Sequence, residues 1–440
     1  MKKSLFLLCL SFFILSCSER INDSLTDKKE RKMHASSARY CKTLWEYQNS
    51  RKSLIQDVLN KMTVEEKVCQ LFIENLEGDK SFYPVEKMSQ FEGFSEAKAM
   101  LPGGYLFFSY NLADSPEEIM AFTDSIRNYC VKKNLITPFL AVDQEGGFVN
   151  RLKYITGPLP SCERISSKLD VEKAYRYYKA QARQMKALGF DMNIAPVIEV
   201  CTPENEKFLN GRSFGSAFNV RSYGTACVNA YENSGIAAVI KHFPGNTNTD
   251  PHTGLPEINY DMKKMEELLL PFYQVLRSGP QAVLMSHART VCLDEGVPAC
   301  FSEKWISLLE KKGDFSGIVF SDDIFMGALS NNGYPPEEAA VKAIEAGVDC
   351  IMISEKRFIG PAKMLVKKAK EDPLFAERID NACRKIITYK VEKGILDCIE
   401  NKDGMKDIFA GKPQGTVSDR MKEFKKARQE NIEMYVDYIE

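Results

Sequence analysis

At 440 residues, with 44% hydrophobic and 27% charged side chains, the chain has ordinary globular composition and room for one large domain or two smaller ones. Its 59 Lys and Arg against 60 Asp and Glu leave a net charge of −1, without the basic surplus that a nucleic-acid binder normally carries. No nucleic-acid partner is expected, nor a substrate gathered by bulk electrostatic attraction.

Residues 1–17 read as a targeting segment. Lys2 and Lys3 precede an apolar stretch, Leu5 to Leu15, too short to span a membrane as a permanent helix. It ends in Ile14-Leu15-Ser16-Cys17, which resembles the cleavage box of bacterial lipoproteins in a relaxed version, with Leu15 at the second-to-last position. That resemblance implies an exported protein lipidated at Cys17, with the membrane touched only through this anchor, on the periplasmic face of the cell envelope. A plain secretion signal, giving a periplasmic protein with an incidental cysteine, is the alternative. Residues 18–38 are charged and poor in apolar side chains, as a flexible tether would be. The thirteen cysteines are scattered singly with no C-x-x-C, so most are expected to be small buried apolar residues. One or two disulfides stay open; a zinc site has no support.

The main domain is expected over 39–398. Thr63-Val64-Glu65-Glu66 is a capping box opening a helix that runs into a first strand, Val68–Ile73. Seven further apolar runs follow: Gly104–Phe108, Phe139–Val142, Met192–Val197, Ala237–Ile240, Ala282–Met285, Gly317–Phe320 and Cys350–Ile353. Amphipathic helical stretches separate them. Eight such units favour an α/β fold of the (β/α)8 TIM-type barrel over an open doubly wound sheet. Residues 399–440 are expected to form a loop (401–415) and a short helical C-terminal extension, capped by Ser418 or Asp419, that packs on the barrel or hangs free.

In such a barrel the polar residues that matter cluster where strands end. The third strand ends in Asp143-Gln144-Glu145-Gly146-Gly147, with Arg151 beyond. The fifth ends in Lys241-His242-Phe243-Pro244-Gly245, followed by Asp250-Pro251-His252; the sixth ends in Ser286-His287 and the seventh in Ser321-Asp322-Asp323. Three of the four histidines lie at these ends. Singly, each has a bland reading: a helix-capping Asp, a surface lysine, a core histidine, a tight glycine turn. Together they would bring carboxylates, a lysine, arginines and histidines to one rim.

Asp143-Gln144-Glu145-Gly146-Gly147, Ile194-Ala195-Pro196-Val197, Arg212-Ser213-Phe214-Gly215, Lys241-His242-Phe243-Pro244-Gly245 and Phe320-Ser321-Asp322-Asp323 resemble, in order, the signatures of glycoside hydrolase family 3. The resemblance covers roughly residues 50–395. The Asp250-x-His252 pair is similar to that of the family's β-N-acetylglucosaminidases of peptidoglycan recycling. It implies a retaining β-N-acetylhexosaminidase acting on terminal N-acetylglucosaminides, a monomer with a carbohydrate substrate and neither metal nor cofactor. Asp322 then matches the nucleophile, His252 the acid/base and Asp250 the carboxylate that orients it. Asp143, Arg151, Arg212, Lys241 and His242 match residues that hold the terminal sugar. A retaining glycosidase needs a carboxylate to form the glycosyl-enzyme and a second group to protonate the departing oxygen. A histidine backed by an aspartate suits the second task.

Four positions depart from the family pattern. Asn246-Thr247 stand where His-Gly is usual and the loop to Asp250 is about two residues shorter; Pro251 replaces a small residue; Phe148 replaces Arg; Glu199 replaces Asp. The first two touch the acid/base loop, with Glu145 or His287 next in line as proton donor should His252 be displaced. Phe148 and Glu199 are expected to tune the rim. A family 3 β-glucosidase or β-xylosidase, and a sugar-binding lipoprotein with impaired turnover, remain as alternatives.

Overall fold

The structure, a computed structural model, describes residues 52–53, 55–76, 81, 100–400, 406–410 and 415–440. The segment 1–17 with Cys17, the tether 18–38 and the first residues of the expected domain lie outside the described residues. Ile55–Glu440 forms one unit. Among the described residues, no helix is long and apolar enough to cross a membrane.

Eight parallel strands close into a barrel: β1 Phe72–Asn75, β2 Gly104–Phe107, β3 Phe139–Val142, β4 Met192–Asn193, β5 Ala237–Phe243, β6 Ala282–Met285, β7 Ile318–Asp323 and β8 Cys350–Ile353. Each strand pairs with its chain neighbours, and β8 pairs with β1 to close the ring. The expected barrel is therefore the observed one. The interior is filled by alternate strand residues, among them Phe139 and Ala141, Ala237 and Val239, Ile318 and Phe320, and Cys350 and Met352. Ile386 and Tyr389, from the helix Pro373–Glu392, join this core.

Several expected boundaries move. The first strand does not begin at Val68: the helix Val64–Gln70 takes Val68, Cys69 and Gln70, because Thr63 and Glu66 complete the capping box that commits the segment to helix. The strand proper starts at Phe72. β4 is only two residues long, and Pro196 downstream has no N–H to offer a ladder; Val197 then forms an isolated bridge to Lys241. β5 and β7 run further than expected, carrying Lys241, His242 and Asp322 on the strands themselves.

The segment 401–415, expected as loop, contributes the strand Lys406–Ala410, antiparallel to Leu396–Glu400. The short apolar run Ile408-Phe409-Ala410 is the signal that marks it. The C-terminal helix, Val417–Tyr438, is capped by Thr416, whose hydroxyl accepts from the Asp419 N–H at 3.1 Å; neither Ser418 nor Asp419 is the cap. The helix packs rather than hangs free. It buries Met421, Phe424, Ala427 and Asn431, and Arg183 of the helix Val171–Leu188 pairs with its Glu423 and Glu430. Nine cysteines with described side chains are free, and most of them are buried.

Candidate active site

The alternation that fills the barrel also builds the site. Two residues beyond Ala141 stands Asp143, two beyond Val239 stands Lys241, and two beyond Phe320 stands Asp322. These side chains form the layer above the apolar core. The β5–β6 register is irregular between Lys241 and Phe243, and the β7–β8 register between Phe320 and Asp323. Such irregularities re-aim side chains next to a site, and here consecutive Lys241 and His242 both face one cleft. That cleft, of about 540 Å³, is lined by all eight of the expected catalytic and sugar-holding residues: Asp143, Arg151, Arg212, Lys241, His242, Asp250, His252 and Asp322.

At its floor, Lys241 Nζ lies 2.8 Å from Asp143 Oδ1 and 2.6 Å from Glu145 Oε1. Arg212 grips the same Glu145 in a fork, Nε to Oε2 at 2.7 Å and Nη2 to Oε1 at 2.8 Å. Burial opposes the charge on Glu145, but Lys241 and Arg212 outweigh it and hold the carboxyl well below the usual carboxylate range. Burial likewise opposes the charge on Lys241, which Asp143 and Glu145 more than restore. Glu145 is thus an anion shared by two cations and is not a proton donor. Gly146 and Gly147 let the chain turn directly after it. Both have positive φ, and a Cβ on Gly146 would stand 2.2 Å from the Pro160 carbonyl oxygen.

Asp322 and Asp323 are separated by environment. Burial raises Asp322, yet His287, His242, the Asp323 N–H and Lys241 together lower it, so the half-buried carboxyl is ionised. Its Oδ1 accepts the Asp323 N–H at 2.9 Å. Asp323 is pushed up by burial, and its carboxylate is occupied by Ser354 and by the Phe325 N–H. It acts as a local brace. His287 is buried beneath this turn. Its Nε2 lies 2.9 Å from the Asp323 carbonyl oxygen, which can only accept, so Nε2 carries a proton. Nδ1 lies 3.3 Å from Cys300 Sγ, so both ring nitrogens face protein partners. His287 is therefore unsuited as a donor to substrate.

Glu199 does not tune the rim. It is 5% exposed and meets His242 Nδ1 at 2.6 Å through Oε1, while Oε2 accepts the Asn246 N–H at 2.7 Å. One methylene longer than aspartate, it reaches both a cleft histidine and the following loop. No local sequence signal announced this, because the partners are far apart along the chain. Phe148 does stand at the cleft mouth, 84% exposed. Further out, Asp250 Oδ1 accepts from both the His252 N–H (2.9 Å) and its Nδ1 (2.7 Å). These bonds lower the Asp250 pKa, and His252 Nε2 meets no hydrogen-bond partner among the described residues. The Arg151 guanidinium sits 5.4 Å over the Phe108 ring, with a buried Nε that has no acceptor among the described residues.

The family model described as "Glycosyl hydrolase family 3 N terminal domain" matches residues 63–389. A protein named Beta-hexosaminidase from Hydrogenovibrio crunogenus is 31% identical over 265 residues, covering 58% of this chain and 72% of its own length. Beta-hexosaminidase A of Pseudoalteromonas piscicida is 26% identical over 321 residues, 66% of this chain but 53% of that protein, so the chain spans about half of this relative's length. Among solved structures, a glycoside hydrolase family 3 β-N-acetylglucosaminidase from Paenibacillus sp. str. FPU-7 superposes with a TM-score of 0.67 at 25% identity, covering 84% of this chain and 69% of that one.

Proposed function

The chain belongs to glycosyl hydrolase family 3 and is a glycoside hydrolase; from that premise we propose that it is a retaining exo-β-N-acetylhexosaminidase releasing terminal β-linked N-acetylglucosamine. The observation that carries the reading is the pairing, in one cleft, of an ionised Asp322 at the end of β7 with an Asp250-backed His252. The relatives named above as hexosaminidases and as a β-N-acetylglucosaminidase support the substrate class.

In the first step Asp322 Oδ2 attacks the anomeric carbon. The glycosidic C–O bond breaks, and the departing oxygen takes a proton from His252 Nε2. Nδ1–H stays on Asp250, whose carboxylate stabilises the imidazolium before transfer and fixes the ring's orientation. In the second step His252 takes a proton from water, which attacks the anomeric carbon and releases Asp322. Lys241 gives two of its three N–H donors to Asp143 and Glu145 and keeps one for a sugar hydroxyl; Asp143 keeps Oδ2 as an acceptor. Arg151, Arg212 and His242 complete the shell around the terminal sugar.

The reading extends to peptidoglycan-derived fragments as natural substrates and to a lipid anchor at Cys17, supported by the resemblances of the Asp250–His252 pair and of the N-terminal segment. Its test is a panel of p-nitrophenyl β-glycosides differing only at the 2-position. The N-acetylglucosaminide should be cleaved with a kcat/KM far above those of the glucoside and xyloside. Comparable values across the panel would remove the hexosaminidase assignment.

A further inference from the structure

His252 has a side chain 70% exposed, and among the described residues its imidazole is held by Asp250 alone, itself 59% exposed. Packing therefore does not locate this ring; the backbone that carries it must. The segment between Phe243 and His252 is tied to the barrel at three points. Asn246 is held by Glu199 through its N–H at 2.7 Å and its side-chain Nδ2 at 3.3 Å. Asn248 makes the densest set: Oδ1 accepts the N–H groups of Lys207 (2.8 Å) and Phe208 (3.3 Å), Nδ2 donates to the Pro203 carbonyl (2.8 Å), and its own N–H donates to the Glu204 carbonyl (2.6 Å). Pro251 accepts the Ala328 N–H at 2.9 Å, just beyond β7. Gly327 permits that approach, since a Cβ there would stand 2.4 Å from the His252 carbonyl oxygen.

The far end of the Asn248 clamp also matters. Phe208, whose N–H it binds, lies beneath the Arg212 guanidinium at 5.2 Å and beside the His242 ring at 6.0 Å. The clamp thus joins the loop that carries the acid/base to the segment that walls the sugar pocket. We propose that Asn248 is a positioning residue for His252: clasping 203–208 from within a short loop, it sets the imidazole's reach to the glycosidic oxygen. The competing account is local, with Asn248 merely capping the first N–H groups of the turn Glu206–Leu209.

The proposal rests on the function given above, and its test separates the two. The kcat/KM, which reports formation of the glycosyl-enzyme, is measured for the 2,4-dinitrophenyl N-acetylglucosaminide, whose leaving group departs without a proton, and for the disaccharide of N-acetylglucosamine, whose leaving group does not. Asn248→Ala should lower the disaccharide value at least about tenfold more than the aryl value, because only the former requires proton donation. Asn248→Asp, which keeps the oxygen acceptor and loses the donor to Pro203, should recover part of the loss. In a His252→Ala background, Asn248→Ala should add less than about twofold on either substrate. Gly327→Ala, which presses on the His252 backbone from the opposite side, should give the same selective loss and serves if Asn248→Ala fails to fold.

Equal losses on both substrates, no loss on either, or a loss that persists undiminished without His252 would each overturn the positioning role. A wild-type protein that cleaves neither substrate would instead overturn the proposed function, and this inference with it.

Discussion

Replacing Glu145 by glutamine keeps the side chain's shape and removes the carboxylate that bridges Lys241 and Arg212. The carboxylate is 3% exposed and meets both cations at 2.6–2.8 Å. Coulomb attraction at such range is several kcal/mol even at an effective dielectric constant of about 20. Breaking a buried pair of this kind typically costs about 3–5 kcal/mol, chiefly because the surviving charge is left uncompensated. Here Lys241 would retain Asp143, while Arg212 would lose its forked partner. Equilibrium urea unfolding of wild type and Glu145→Gln should therefore differ by about 3 kcal/mol or more near neutral pH. The sign of the pH dependence follows from the depressed carboxyl. Its stabilisation is complete above the unfolded value of 4.5 and is lost as pH falls below that towards the folded value. The gap should be flat between about pH 6 and 8 and narrow only below about pH 4.5. A difference below about 1 kcal/mol, or a gap already closing between about pH 7 and 6, would refute the view that Glu145 is a buried anion fixed by two cations.

His252→Ala should leave glycosyl-enzyme formation from activated aryl substrates nearly unchanged and slow it strongly for disaccharides; a uniform effect would mean that another group donates the proton. Asp323→Asn, measured as kcat on the aryl N-acetylglucosaminide, should retain far more activity than Asp322→Asn, because Asp323 braces the turn while Asp322 faces the cleft; the reverse order would exchange their roles. Lys390 is fully buried against Gln70, and burial pushes its ammonium down to about 7. The unfolded chain keeps that proton up to its usual 10.5, so this residue's penalty is full below about pH 7 and disappears as pH rises towards 10.5. Lys390→Met should accordingly raise Tm most near about pH 6 and progressively less up to about pH 10, whereas a pH-independent change would contradict a charged buried lysine.

The barrel was legible because each strand announces itself as a short apolar run, and the site because polar residues follow those runs at the period of two that fills the interior. Asp143, Lys241 and Asp322 lie where counting onward from Ala141, Val239 and Phe320 puts them. What escaped was set by contacts between distant segments. Glu199 looked like a rim residue, although its environment is decided by His242 and Asn246, more than forty positions on. Glu145 looked like a spare proton donor until Arg212, sixty-seven positions away, was seen to grip it. His287 carried the same ambiguity until the Asp323 carbonyl fixed its proton. Boundaries slipped for local reasons. A capping box extended a helix over apolar residues suited to a strand, and the strand Lys406–Ala410 lay in a segment whose glycines and proline signalled loop.

The central claim is that Asp322 becomes covalently bonded to the sugar. A fluorinated N-acetylglucosaminyl fluoride withdraws electrons from the reacting centre and slows both steps, while its good leaving group rescues the first, so the glycosyl-enzyme accumulates. After brief reaction and peptic digestion, mass spectrometry of the labelled peptide should place one sugar on Asp322, with no label in the Asp322→Asn protein. A label on Asp323 or Glu145, or stoichiometric turnover with no trapped adduct and inversion at the anomeric carbon, would contradict the account.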